Sequence, residues 1–281
     1  MSTAAIVLEA QSLLAAGKPE EAIGACRRAL AIEPDCLAAH VCMARAMLPG
    51  DDYLAHLRRL HETLRPRLYV EIGVDAGRTL SLARPPTRAI GVDPAAREGG
   101  VTFAADTRLF ALESDAFFAG EAEAALAGEP IALAFVDGLH LFEQALRDFI
   151  HVERHAAPET VVLFHDCLPL DRATASRTRA TGFWTGDVWK IVPVLARHRP
   201  DLELFVIPTY PTGLLVVTRL DPASTVLSER FDSIVAQFRA GEWTDAARNR
   251  DFPLIANDWN VVRERLSSAG STSSRTPARR A

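Results

Sequence analysis

Asp137 follows the apolar run Ile131-Ala-Leu-Ala-Phe-Val, and His165-Asp166 follows the run Thr160-Val-Val-Leu-Phe. Nearly continuous apolar runs read as parallel strands covered on both faces. The residue just past such a strand looks into the crevice where open α/β sheets bind ligands. Neighbouring strands lie about 5 Å apart, so Asp137 and Asp166 are expected to converge. Two close carboxylates repel unless a proton or a cation lies between them. Oxygen ligation favours Mg²⁺, Ca²⁺ or Mn²⁺, and an added His165 tilts the choice towards a transition metal. Without a metal, His140 or His165 is the candidate general base at neutral pH. A plainer reading stays open: Asp137-Gly138 as a strand-end turn capping the next helix, and His165 as a hydrogen-bonding residue of the sheet rim.

A second set lies upstream. Leu68-Tyr-Val-Glu71-Ile-Gly73-Val-Asp-Ala-Gly77 reads as a strand, a glycine turn and a helix start, and Asp93 closes a second strand sixteen residues after Gly77. This is the skeleton of a nucleotide-type cofactor site. The spacing is Glu71-x-Gly73-x-x-x-Gly77, whereas a dinucleotide fingerprint would need glycine where Asp75 and Arg78 stand. A cofactor without a pyrophosphate fits better than NAD or FAD. Gly73 lets the backbone turn and approach a ligand, and Gly77 permits close packing. Asp93 offers two acceptor oxygens to a pair of ribose hydroxyls.

Glu71 to Gly77 resembles the first motif of class I S-adenosylmethionine (SAM) methyltransferases, and the further motifs of that family follow in order. Ala89-Ile-Gly-Val-Asp93 resembles the second strand, Leu112-Glu-Ser-Asp115 the third, Ile131 to Val136 with Asp137-Gly-Leu-His140 the fourth, and Thr160 to Asp166 the fifth. The resemblance covers about residues 66 to 219. It implies a doubly wound, mostly parallel seven-stranded α/β sheet with an antiparallel C-terminal hairpin, binding SAM. By it, Glu71 faces the cationic amino-acid part of SAM, Asp93 the ribose and Asp115 the adenine. The Asp-Gly-x-His and His-Asp endings resemble the metal-using O-methyltransferase branch, which includes cephalosporin hydroxylase-like relatives. That implies Asp137 and Asp166 as ligands of Mg²⁺ or another divalent cation. It also implies methyl transfer to oxygen, rather than nitrogen or carbon, on a small-molecule acceptor such as a sugar or natural product. The branch often carries an acidic pair at the end of the fifth strand, and here His165 replaces its first member.

The remaining elements position these residues. Residues 1–50 read as helices (5–16, 19–32 and 36–47), with Gly17-Lys-Pro19 as a break. Gly17, Ala22, Ala29 and Pro34 fall at tetratricopeptide-like positions, yet little more than one repeat is present and about three are usually needed. The segment therefore packs on the rest of the chain or serves a homodimer or another protein partner. The SAM-binding domain is expected over 51–266, with strands at 68–73, 88–93, 109–113, 131–137, 160–165, 202–207 and 213–219. A helix at 53–64, capped by Asp51 or Asp52, precedes them, and helices at about 224–240 and 258–267 follow. Residues 267–281, rich in Ser, Thr, Arg and Ala, read as a disordered basic tail. Gly182-Phe-Trp-Thr-Gly-Asp187-Val-Trp-Lys190 reads as a loop over the acceptor, with Trp184 as a contact. Asp187 is expected to cap the helix that follows it. Arg172, Arg177 and Arg179 either meet an anionic acceptor or form a solvated face.

Composition bounds the rest. The chain has 281 residues, a hydrophobic content of 48% and a net charge of −5. With a pI near 5.9, an extended basic surface for nucleic acid is not expected. No apolar run is long enough for a membrane span. The four cysteines form no C-x-x-C pair, so a reducing cytoplasmic setting without disulfides is expected. Two alternatives to methyl transfer stay open: a helical-repeat interaction protein with a non-catalytic SAM-binding fold, and a hydroxylase-like activity on the same scaffold.

Overall fold

The structure, a computed structural model, describes residues 1–97, 100–244 and 252–271. Its centre is a seven-stranded sheet in the order β3-β2-β1-β4-β5-β7-β6. The strands are β1 (Leu68–Ile72), β2 (Arg88–Val92), β3 (Asp106–Phe110), β4 (Ile131–Val136), β5 (Ala156–His165), β6 (Glu203–Ile207) and β7 (Leu214–Thr218). The first five run parallel. β7 enters antiparallel between β5 and β6. This is a doubly wound, mostly parallel α/β sheet with an antiparallel end, and its strand order reverses between β1 and β4.

Helices cover both faces, as a parallel sheet requires. One face packs on α5 (Phe142–Arg154), α6 (Ile191–His198) and α7 (Phe231–Phe238); the other packs on α4 (Tyr53–Leu64) and α8 (Trp259–Ser271). In α5, Phe142, Ala145, Leu146, Phe149 and Val152 recur at helical spacing and are all buried. Asp52 caps α4 by accepting from the Ala55 amide at 2.8 Å. The N-terminal helices are α1 (Thr3–Ala15), α2 (Pro19–Ile32) and α3 (Leu37–Met47), with Pro19 at the start of α2. They share a core of their own that also takes in Leu170 from beyond β5. No cysteine is in a disulfide. Among the described residues, no helix is long and apolar enough to cross a membrane.

Several expectations shift. β3 spans Asp106–Phe110 rather than the expected 109–113, and Asp115 lies in the helical turn Ser114–Ala116 that follows it. β3 is an edge strand whose Asp106, Leu109 and other positions are largely exposed, and it carries no apolar alternation to mark it. The expected helix at 224–240 divides into Val226–Glu229 and α7. The tail is expected from 267, whereas α8 continues to Ser271; positions 272–281 lie outside the described residues. The free side of β6 is lined by the chain from Phe252 onward. Val206 donates to the Pro253 carbonyl at 2.9 Å, and Ile255 donates to the Val206 carbonyl at 3.0 Å.

Candidate active site

The register of β4 and β5 pairs Val136 with Phe164, so Asp137 and His165 emerge side by side at the strand tops. Asp166 follows at φ +59° and His140 stands at φ +60°, a left-handed conformation uncommon for non-glycine residues. The result is a compact cluster. His140 Nε2 lies 3.3 Å from Asp137 Oδ1 and 3.1 Å from Asp166 Oδ2. His165 Nδ1 lies 3.4 Å from Asp137 Oδ1 and 3.4 Å from Asp166 Oδ1. The Thr212 hydroxyl donates to Asp166 Oδ1 at 2.6 Å, and the Tyr53 ring lies 4.4 Å from that of His165.

Charge decides the state of this cluster. Burial disfavours the His140 cation, but Asp166 and then Asp137 outweigh it and raise His140 to about 9. Burial likewise opposes the His165 cation, and Asp137 and Asp166 raise it to about 10. Burial favours the acid form of Asp137, yet His165 and His140 hold it well below the usual carboxylate range. The Trp184 carbonyl lies 3.2 Å from His140 Nδ1. A carbonyl only accepts, so Nδ1 carries a hydrogen and Nε2 is the atom that exchanges a proton. The Trp184 ring stacks on His140 at 5.3 Å.

Two glycines hold the loop 137–140 from opposite sides. A Cβ at Gly73 would lie 2.0 Å from the Asp137 carbonyl oxygen, and one at Gly186 would lie 1.8 Å from the His140 carbonyl oxygen. Both glycines have positive φ, +85° and +59°. Gly73 was read as room for a cofactor; its nearest constraint is this backbone. At Gly77, φ is +75° and a Cβ would meet Val101 and Phe103, which accords with a packing role.

The cluster forms one end of a cavity of about 680 Å³. The turn after β1, with Asp93 and Asp115, forms the other end. Asp93 Oδ2 accepts from the amides of Val74 and Asp75 at 2.8 Å each, and Oδ1 accepts from Ala95 at 2.7 Å. Its carboxylate therefore shapes the glycine turn as well as lining the cavity. Asp115 accepts from Gln144 Nε2 at 3.1 Å. Gln144 also donates to the buried Asp148, which burial raises to about 6.

Glu71 departs from its expected place facing a ligand, for it is fully buried and does not line the cavity. The Tyr69 hydroxyl donates to Oε2 and the Thr79 hydroxyl to Oε1, both at 2.6 Å. It braces the turn from beneath. Burial pushes its carboxyl up to about 8. A group whose folded pKa is raised contributes stability that is present below its unfolded value and lost as pH rises through the folded value. Between about pH 4.5 and 8, Glu71 therefore erodes stability as pH rises. Glu71→Gln removes this slope, gaining about 2–5 kcal/mol relative to wild type between pH 5 and pH 8.5. Urea denaturation at both pH values checks it; parallel slopes for the two proteins would show that Glu71 stays ionised.

The loop beyond β5 also corrects the sequence reading. Arg172 pairs with Glu242, and Arg177 pairs with Glu143 and Asp187, leaving Arg179 at the cavity wall beside Trp184. Asp187 makes no side-chain cap to the turn that follows it. Its Oδ1 accepts instead from Phe142 N at the start of α5, at 2.8 Å, and Oδ2 meets Arg177 and Lys190. Tyr53, Thr212 and Gln144 were not foreseen as site residues, while Gly186 falls within the loop expected over the acceptor. Only Thr212, a polar residue between two strands at the same sheet end as Asp166, left a trace in sequence.

Asp137, His140 and Asp166 each place a ligand atom within 4.8 Å of the others and could hold a cation. The expected pair is thus joined by His140 rather than by His165.

Residues 70–167 match a family model described as a methyltransferase domain. Among solved structures, the chain is similar to a cofactor-bound protein from MTB, at 17% identity over 66% of this chain and 90% of that one (TM-score 0.46). It is similar to an O-methyltransferase from Bacillus cereus in complex with SAH, at 15% identity over 62% and 86% (TM-score 0.41). It is also similar to an O-methyltransferase from Streptomyces achromogenes involved in tomaymycin synthesis, in complex with SAM, at 14% identity over 60% and 79% (TM-score 0.42). No curated protein matches the chain.

Proposed function

We propose that this chain, with its methyltransferase-domain match over residues 70–167, transfers the methyl group of SAM to a hydroxyl of a small-molecule acceptor. The observation that carries the reading is the convergence of Asp137, His140, His165 and Asp166 on one end of a cavity whose other end is the turn held by Asp93. SAM supplies an activated methyl group; the chain's residues bind, orient and handle the proton. Asp93 keeps the turn in shape, and its remaining lone pairs and Asp115 face the cavity. Leu139, Phe183, Trp184 and Pro211 give the end beside His140 an apolar wall, suited to a ring-bearing acceptor such as a sugar or natural product. A hydroxyl is a poor nucleophile until its proton leaves. His140 Nε2, between two carboxylates, is the atom that accepts that proton once its own has been released.

A second reading puts a divalent cation on the same atoms in place of the Nε2 proton; His140 would then be a ligand rather than the base. Two carboxylates and one imidazole form a mixed oxygen and nitrogen donor set. The Trp184 carbonyl orients the imidazole as outer contacts orient metal-binding histidines. Such an ion, when bound, lowers the pKa of an acceptor hydroxyl.

The test is calorimetric titration of the metal-stripped chain with SAM, without and with Mg²⁺. Saturable binding is expected. Asp93→Ala, which frees the amides of Val74 and Asp75, should weaken it roughly 10–100-fold. A gain with Mg²⁺ supports the cation, and no binding by a folded chain in any condition overturns the reading.

A further inference from the structure

The helices α1–α3 touch the cavity through two loops. Asp35, just before α3, accepts from the Gly182 amide through Oδ1. His40 of α3 is buried and stacks on Phe183 at 5.5 Å. Phe183 and Tyr210 both pack against the core of the N-terminal helices. The Arg45 guanidinium lies 5.1 Å over the Tyr210 ring. These contacts fall on residues adjoining the cluster. Gly182 and Phe183 precede Trp184, whose carbonyl and ring hold His140. Tyr210 and Pro211 precede Thr212, which holds Asp166.

The base of the loop 171–187 is tied to itself and to the main domain. The Thr185 hydroxyl donates to the Thr174 carbonyl at 2.9 Å, Arg177 pairs with Glu143 of α5, and Asp187 accepts from Phe142 N and pairs with Lys190. Its tip gains its outer contacts from Asp35 and His40 instead. Removing Asp35 and α3 together would take the acceptor from the Gly182 amide and the stacked His40 ring from Phe183.

We infer that the N-terminal helices are a working part of the acceptor site, in which Asp35 and His40 are positioning residues that act on His140 through Gly182, Phe183 and Trp184. This rests on the reading of the cavity as an acceptor site. It gives α1–α3 a task within the same chain, independent of any repeat array or outside partner. Asp35 is exposed, so its exchange tests the link without emptying a core.

The experiment compares full-length wild type, Asp35→Ala and Asp35→Asn by amide hydrogen exchange, by calorimetry with SAM, and by the His140 imidazole Cε1–H resonance at fixed pH, assigned with His140→Gln. In Asp35→Ala, exchange across 180–184 is expected to rise roughly tenfold, and the His140 resonance to move. SAM affinity is expected to hold, since the turn after β1 is untouched. Asp35→Asn keeps an acceptor oxygen and should restore both signals. Unchanged exchange and an unmoved resonance in Asp35→Ala overturn the inference, as does an Asn variant that behaves like Ala. Failure of the methyl-transfer reading shows separately, as a wild type that does not bind SAM.

Discussion

Under the proposed methyl transfer, His140→Gln is expected to lower the rate at saturating SAM by roughly 10²–10⁴-fold, the range of a lost general base, while SAM affinity holds. Glutamine can still meet the Trp184 carbonyl and one carboxylate, so the loop keeps its shape. It cannot take up a proton at the position of Nε2, 3.1 Å from Asp166 Oδ2. Asp166→Asn should fall in the same range by another route, since it removes one of the two carboxylates that set the charge of both imidazoles. Single-turnover transfer of a radiolabelled methyl group, on an acceptor drawn from a panel of hydroxylated small molecules, measures both. Titrating Mn²⁺ into each variant then separates the roles. A His140→Gln chain that keeps its rate removes His140 from the chemistry; one that loses SAM affinity in step with rate makes His140 structural.

The second large effect concerns the backbone. Gly186→Ala should cost about 2–4 kcal/mol, combining overpacking with left-handed strain in an L residue. The new methyl would sit 1.8 Å from the His140 carbonyl oxygen, a position only backbone movement relieves. Gly17→Ala serves as the control. It has φ +74° but nothing within 4 Å of its Cβ, so it carries the strain alone, about 1 kcal/mol. Urea denaturation of both variants checks the difference, and equal losses would refute the close approach. The displaced loop carries Asp137 and His140, so activity should fall further than stability in the surviving folded fraction.

The acids and histidines at the tops of β4 and β5 were legible in sequence because each ends a long apolar run. Parallel pairing brings Asp137 beside His165, while His140 and Asp166 join them through left-handed turns and the loop held by Gly73 and Gly186. Asp93 was legible for the same reason, though its grip on the amides of Val74 and Asp75 was not, because backbone partners leave no mark on residue type. Glu71 misled because its position in the motif suggests a ligand contact, while the burial that engages both its oxygens depends on Tyr69 and on Thr79 from the next turn. β3 was misplaced because an exposed edge strand carries a polar pattern. Tyr53 reached the site only through the packing of α4 against the sheet, a contact that no local spacing encodes.

The order β5-β7-β6 has a temporal side. As the chain is synthesised, β6 emerges before β7, yet β6 pairs only with β7 and never with β5. Its backbone groups therefore wait unpaired until Leu214–Thr218 has been made and inserted. Its outer side waits longer still, until Pro253 to Ile255 arrive to bond Val206. A growing chain halted between these points holds an apolar strand with an open edge, the configuration most prone to pairing with another copy. The outer edge of β6 thus stays open until the chain has been made as far as Ile255.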